Sequence, residues 1–162
     1  MKKIVLFIVI LAATTDIAKS QDIFNEIRKT AKEKTENPVV PDMIKQVNRF
    51  KVDALDYLLL KMREQMPDST TAYLDKQAYA MNNFINFYMS KIIEAKERPQ
   101  AYQLKLLQLF MDASYSNPLF NDTDRELTLI YFSDSESLTR FSLDTDWRRA
   151  AAAVMFEVPR LR

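Results

Sequence analysis

The sequence contains no histidine, no cysteine and no glycine among its 162 residues. Histidine is the commonest general base and the commonest transition-metal ligand, so its absence removes the most frequent catalytic and metal-binding arrangements. Without cysteine the chain can form no disulfide bond, and its stability must come from packing. These absences argue against an enzyme, and they lead us to expect no metal and no cofactor.

The lack of glycine also restricts the loops. Average usage near 7% would supply about 11 glycines in a chain of this length. No glycine-rich phosphate loop and no glycine-containing nucleophile elbow can therefore be written. Turns that need a positive φ would have to use Asn37, Asn117 or Asn121. Long helices with short loops need little glycine, and the composition therefore favours a helical fold.

Residues 1–20 have the organisation of a secretory signal peptide. Lys2 and Lys3 give a positive start, and an apolar run follows at Ile4–Ala13. This run is much shorter than the roughly 20 apolar residues that span a bilayer. The pattern predicts export, and a leader of this kind is typical of bacteria.

Cleavage of the signal is predicted between Ser20 and Gln21, where small residues precede the cut. Residues 21–162 would then form a single helical domain in the periplasm or outside the cell, with no membrane span. The charge is close to neutral, +1 for the whole chain, and no block of like charge occurs. Nucleic-acid binding, which depends on clustered Lys and Arg, is therefore not expected.

Apolar periodicity predicts a mainly α fold, an antiparallel bundle of about four to five helices. The strongest pattern lies in Tyr73–Lys96, where apolar residues recur at alternating steps of four and three. Met81 and Ile85 lie midway along this stripe and are predicted to occupy the centre of the bundle. The stripe comprises Leu74, Ala78, Met81, Ile85, Tyr88, Ile92 and Ala95.

Prolines and capping residues delimit the predicted helices. An extended connector is expected at Asn37–Pro41, because the residue before each proline is biased away from the α region. Asp42 is predicted to cap the second helix, and Asp144 or Thr145 the last. The five predicted helices are Asp22–Glu36, Met43–Met66, Tyr73–Lys96, Gln100–Ala113 and Trp147–Met155.

A small C-terminal β-hairpin is predicted at Glu126–Phe132 and Leu138–Leu143, which are rich in Leu, Thr, Ile, Tyr and Phe. The serine-rich segment Ser133–Ser137 would be its loop. The alternative is an all-α chain, because Thr123 with Glu126 and Ser133 with Glu136 fit a capping box. Such a chain could be a helix-pair repeat, since tandem helix pairs can escape a single-sequence reading.

Two polar segments are candidate ligand sites. The loop Asn121–Glu126 could place several oxygens around a hard cation, although turns and caps explain the same residues. Asn82, Asn83 and Asn86 could form a buried polar cluster on the central helix, although asparagines often line a helix flank.

Contact and modification residues can also be proposed. Trp147, Arg148 and Arg149 are candidates for contact with a protein partner, since Trp and Arg are over-represented among residues that dominate binding energy. Alternatively, Trp147 docks its own helix onto the bundle. Ser69, within Asp68–Thr70, resembles the acceptor used for O-glycosylation of exported proteins in one group of Gram-negative bacteria.

The sequence favours a non-catalytic interaction or structural module that binds another macromolecule, because the common catalytic motifs are absent. A carrier of an apolar ligand between helices is the alternative. Eight methionines and ten phenylalanines could form adaptable apolar walls for such a ligand, although the same residues commonly fill a core.

Overall fold

A computed structural model describes residues 23–161. These residues are mainly helical and contain no β-strand, which confirms the mainly α prediction. The predicted signal peptide and its cleavage between Ser20 and Gln21 lie outside the described residues. Within residues 23–161, none of the helices combines the length and the apolarity needed to cross a bilayer.

The helices follow the predicted order. The bounds of the longer ones agree with the sequence prediction to within a few residues, and short 3₁₀ turns at Ala95–Glu97 and Val158–Arg160 extend two of them. In chain order the helices are α1 at residues 23–36, α2 at Asp42–Gln65, α3 at Thr71–Glu94, α4 at Gln100–Tyr115, α5 at Arg125–Thr128, α6 at Ile130–Ser133 and α7 at Trp147–Glu157.

The central helix α3 buries the predicted stripe. Met81 and Ile85 are completely buried, and Ile92 at the far end is partly buried. Neighbours cover α3 on several sides, since it packs against α2, α4 and α7. Full burial of one such side chain contributes about 1.5–3 kcal/mol before the entropy of ordering is counted. The periodicity therefore identified the core helix correctly.

Aromatic rings fill the space between the helices. Phe84 lies at the centre, with its ring centroid 5.2 Å from Phe110, 5.1 Å from Phe141 and 5.5 Å from Trp147, all in edge-on arrangements. Such edge-to-face pairs add about 0.5–1.5 kcal/mol each beyond the area they bury. One contiguous cluster of buried side chains extends from Phe24 in α1 to the C-terminal turn.

Polar contacts show how the long helices are oriented. Lys51 in the first half of α2 contacts Asn86 in the second half of α3, and Met62 near the end of α2 lies beside Leu74 near the start of α3, so these two helices are antiparallel. Asp146 accepts a hydrogen bond from Gln77, near the start of α3, and its backbone N–H donates to Asn117, just beyond α4. The start of α3 therefore lies beside the end of α4, as expected for antiparallel neighbours.

The predicted β-hairpin at Glu126–Phe132 and Leu138–Leu143 is wrong. The first segment forms the single turns α5 and α6, and the Asp124 side chain accepts a hydrogen bond from the Leu127 N–H at the start of α5. The second segment is irregular, because short-range bonds such as Phe141 N–H to the Thr139 carbonyl turn the backbone. Its apolar residues were read as a strand but instead fill the core.

Two predicted helix caps also differ from the structure. Asp42 is the first residue of α2 and provides no capping bond, because Pro41 occupies the cap position. Asp146 caps α7 in place of Asp144 or Thr145, since its carboxylate accepts from the Arg149 N–H. No residue from 23 to 161 has a positive φ, so the turns there avoid the conformation for which asparagines were expected.

Candidate binding cleft

A polar cleft lies between α1, α2 and α3, with a volume of about 260 Å³. It is open to solvent, and its walls carry both charged and amide side chains. We call it the Lys51 cleft, after the most buried charged residue in it. Its principal polar residues are Glu26 and Lys34 from α1, Asn48 and Lys51 from α2, and Asn82 and Asn86 from α3.

Two contacts hold α1 over the other two helices. The Arg28 guanidinium donates to both carboxylate oxygens of Asp56 on α2, at 2.6 and 3.0 Å. The Phe24 N–H donates to Asp75 on α3 at 3.0 Å. Bidentate pairing fixes the direction as well as the distance of a side chain. Helix α1, which forms one wall of the cleft, is therefore fixed to both α2 and α3.

Lys51 lies on the floor of the cleft, with only 7% of the residue exposed. Its Nζ donates to the side-chain oxygens of Asn82, at 2.7 Å, and Asn86, at 2.9 Å. An ammonium group has three N–H donors, and the third finds no acceptor among the described residues. The described residues offer Lys51 no carboxylate within ion-pair distance either, so its charge is hydrogen-bonded but not neutralised.

Burial and, to a smaller extent, the nearby charge of Lys34 together lower the pKa of Lys51 to about 8. Burial disfavours the charged form because the low-dielectric interior solvates an ammonium poorly. At neutral pH the group is still mainly protonated. A cation without a counter-ion is therefore held in a cleft that solvent can enter.

Lys51 also dictates how its two asparagine neighbours are oriented. Since an ammonium can only donate, Asn82 and Asn86 must both present their amide oxygens to it. Their amide NH₂ groups then point away from Lys51 and make no hydrogen bond within the described chain. Three donor groups therefore line the cleft: the third N–H of Lys51 and the amide NH₂ groups of Asn82 and Asn86.

Because the pKa of Lys51 is lower in the folded chain than in the unfolded chain, the free energy of unfolding should depend on pH. Between the folded pKa of about 8 and the ordinary value of 10.5, the unfolded chain binds a proton that the folded chain does not. Stability should therefore rise with pH, by about 2 kcal/mol between pH 7 and 9.5 from this group alone. Urea unfolding across this range should show the rise in the wild type and its loss in Lys51→Met. The same rise in the variant would contradict the assignment.

Sequence reasoning found part of this cleft. A buried polar cluster was predicted at Asn82, Asn83 and Asn86; Asn82 and Asn86 do line the cleft, but Asn82 is only half-buried and Asn86 is exposed. Asn83 is half-buried and makes no contact that joins it to them. Lys51 was missed. Its signal was its register, since it lies between Val47 and Ala54 at the spacing of the buried face of α2. A lysine in an apolar register is a candidate for a functional group.

The predicted contact residues separate in the structure. Trp147 is completely buried against Phe50 and Phe84, so it docks α7 onto the core and offers no surface to a partner. Arg148 and Arg149 are exposed, and their contact with a partner stays a prediction. Ser69 is exposed in the turn between α2 and α3, and its modification likewise stays a prediction.

In the loop Asn121–Glu126, Asp122 and Asp124 use their carboxylate oxygens within the protein. Asp122 accepts from the Tyr57 hydroxyl at 2.7 Å and lies 3.2 Å from the Lys61 ammonium. The hydrogen bond from Tyr57 lowers the pKa of Asp122, whereas burial, followed by this same bond, raises the pKa of Tyr57. Residues 23–161 contain no group of three or more potential His, Cys, Asp or Glu ligands for a metal.

Comparison of the chain with protein-family models, with curated proteins and with solved structures gave no match in any of the three. Functional inference therefore depends on the geometry of the chain itself, above all on the Lys51 cleft.

Proposed function

We propose that this chain is an exported, non-catalytic module that binds another macromolecule, and that the Lys51 cleft is its contact site. The carrying observation is the buried Lys51 ammonium, which faces a solvent-open cleft without a carboxylate partner. Burying a charge costs free energy unless it is paired. A group supplied by a partner would provide the missing interaction.

The neighbours of Lys51 support binding rather than catalysis. The groups that contact it are the amides of Asn82 and Asn86, which neither accept nor release protons near neutral pH. None of the described residues offers Lys51 a hydroxyl, carboxylate or second amine within hydrogen-bond distance, so no acid, base or nucleophile lies beside it to share a catalytic step. Glu26 lies at the exposed rim and makes no contact with Lys51.

The filled core favours an interaction module over the alternative, a carrier of an apolar ligand. A carrier needs an apolar cavity between its helices. Here Phe50, Phe84 and Phe110 are completely buried and belong to one packed aromatic cluster. The large apolar residues therefore fill the centre of the bundle, where a carrier would enclose its ligand.

Affinity capture from periplasmic extract with tagged mature protein tests the contact site. We expect the wild type to recover a partner and Lys51→Met to recover about tenfold less, since a buried charged contact contributes about 1.5–3 kcal/mol. Lys76→Met, at an exposed position of α3, is the matched control and should behave like the wild type. Equal recovery by all three proteins would exclude the cleft, and turnover in an activity screen without any partner would contradict a non-catalytic module.

Export is a separate prediction with its own measurement. N-terminal sequencing of periplasmic or secreted material should begin near Gln21, because the signal is predicted to be cleaved there. An intact Met1 in a cytosolic fraction would contradict export and would leave the cleft proposal to be judged on its own test.

A further inference from the structure

We infer that the Lys51 cleft binds a carboxylate group, with the Lys51 ammonium as its main contact. The inference rests on the proposed function, because it names the chemistry of the group that the cleft would accept from a ligand or partner.

The free donors of the cleft match an acceptor-only group. Lys51 has one N–H unused, and Asn82 and Asn86 each have an amide NH₂ that makes no hydrogen bond within the described chain. An ionised carboxylate has two oxygens that only accept, with room for about four hydrogen bonds. One carboxylate oxygen can therefore accept a hydrogen bond from the Lys51 ammonium, and the other can accept one from an asparagine amide.

The charges at the rim limit how much negative charge the cleft can hold. Lys34 on α1 adds a positive charge close enough to affect Lys51, but Glu26 on the same helix carries an opposing charge. The two rim charges are opposite in sign, so the rim adds no net charge and the net charge of the cleft lining is that of Lys51. A single carboxylate group fits this balance better than a phosphate dianion, which commonly requires several cationic groups or a helix N-terminus. The second carboxylate of a diacid such as succinate can stay in solvent, whereas both charges of phosphate lie on the group that enters the cleft.

The size of the cleft also favours a small group. Its volume of about 260 Å³ is below the range of roughly 300–1,000 Å³ that is usual for whole-ligand pockets. A short acid or the acidic end of a larger ligand would fit. The carboxylate could belong to a free small acid or to a peptide, and these two sources share the contact with Lys51.

Binding should take up protons at alkaline pH. The groups facing Lys51 are Glu26 and Lys34 from α1 and the neutral amides of Asn82 and Asn86 from α3 and Asn48 from α2. A bound carboxylate would stabilise the ammonium form of Lys51. Its affinity should therefore fall as the pH rises above the pKa of about 8 in the free protein.

Isothermal titration of the mature protein provides the test, with acetate, succinate and inorganic phosphate as small probes and a short peptide ending in glutamate as the other source. At pH 7 we expect succinate to bind one site, to bind more tightly than phosphate, and to weaken about tenfold in Lys51→Met. At pH 9.5 the wild type should also bind about tenfold more weakly. Tighter binding of the peptide than of succinate would assign the carboxylate to a peptide, and the reverse would assign it to a free acid.

Exposed rim variants keep the test decisive if Lys51→Met does not fold. Lys34→Gln should weaken succinate binding and Glu26→Gln should strengthen it, each by about two- to threefold, because they change the field at the cleft in opposite directions. Lys76→Met should leave it unchanged. Absence of saturable carboxylate binding, or shifts of the same sign in both rim variants, would overturn the inference. If partner capture still depended on Lys51, the proposed function would stand and only the carboxylate chemistry would fail.

Discussion

Replacing Trp147 with alanine should lower the free energy of unfolding by about 3–5 kcal/mol. Trp147 is completely buried, and its ring centroid lies 6.0 Å from that of Phe50 and 5.5 Å from that of Phe84. Removing the indole leaves a cavity where α7 meets α2 and α3. Since domains of this size have total stabilities of about 5–15 kcal/mol, the loss would be a large fraction of the whole.

Urea unfolding followed by far-ultraviolet circular dichroism should measure this loss, because the variant lacks the only tryptophan and its fluorescence. Arg148→Ala is the control at the exposed neighbouring position and should change stability by less than about 0.5 kcal/mol. Trp147→Phe should cost less than alanine, since the indole Nε1 has no hydrogen-bond partner among the described residues. Equal, small losses in all three variants would mean that α7 is not docked through Trp147.

Truncating Ile85 to alanine is expected to cost about 2–5 kcal/mol, the second largest effect. Ile85 is fully buried midway along α3, the helix that contacts α2, α4 and α7. The lost methyl and methylene groups remove transfer free energy, and the packed neighbours can close the cavity only partly.

Lys76→Ala, at an exposed position of the same helix, is the control for Ile85→Ala. It should stay within about 0.5 kcal/mol of the wild type in urea unfolding. If both variants lost the same small amount, α3 could not be the core helix, and the arrangement of the other helices around it would be wrong.

The long helices could be predicted because they repeat one physical pattern many times. In α3 the same face recurs through Leu74, Ala78, Met81 and Ile85. The helix is therefore predicted correctly even if one position is misread. The C-terminal region lacks such repetition. In α5 a single cap by Asp124 selects a helical turn, and Leu, Thr and Ile were read as strand because β propensity depends on context.

The Lys51 cleft could be predicted only in part, because it depends on how three helices come together. Asn82 and Asn86 are one helical turn apart, so their shared face was readable from the sequence. The partner on α2 was not, since the sequence does not specify which residues face each other across helices. Lys51 acquires its burial, and so its lowered pKa, from that packing.

The most direct test of the cleft is a pH titration of Lys51 itself, in which NMR of ¹³C-labelled lysine Cε groups reports the protonation state. The Lys51 signal is assigned by its loss in Lys51→Met. Without ligand we predict a midpoint near pH 8, and with saturating succinate a clear upward displacement. A midpoint near the ordinary pKa of 10.5 that succinate leaves unchanged would contradict both the buried cation and the binding site built on it.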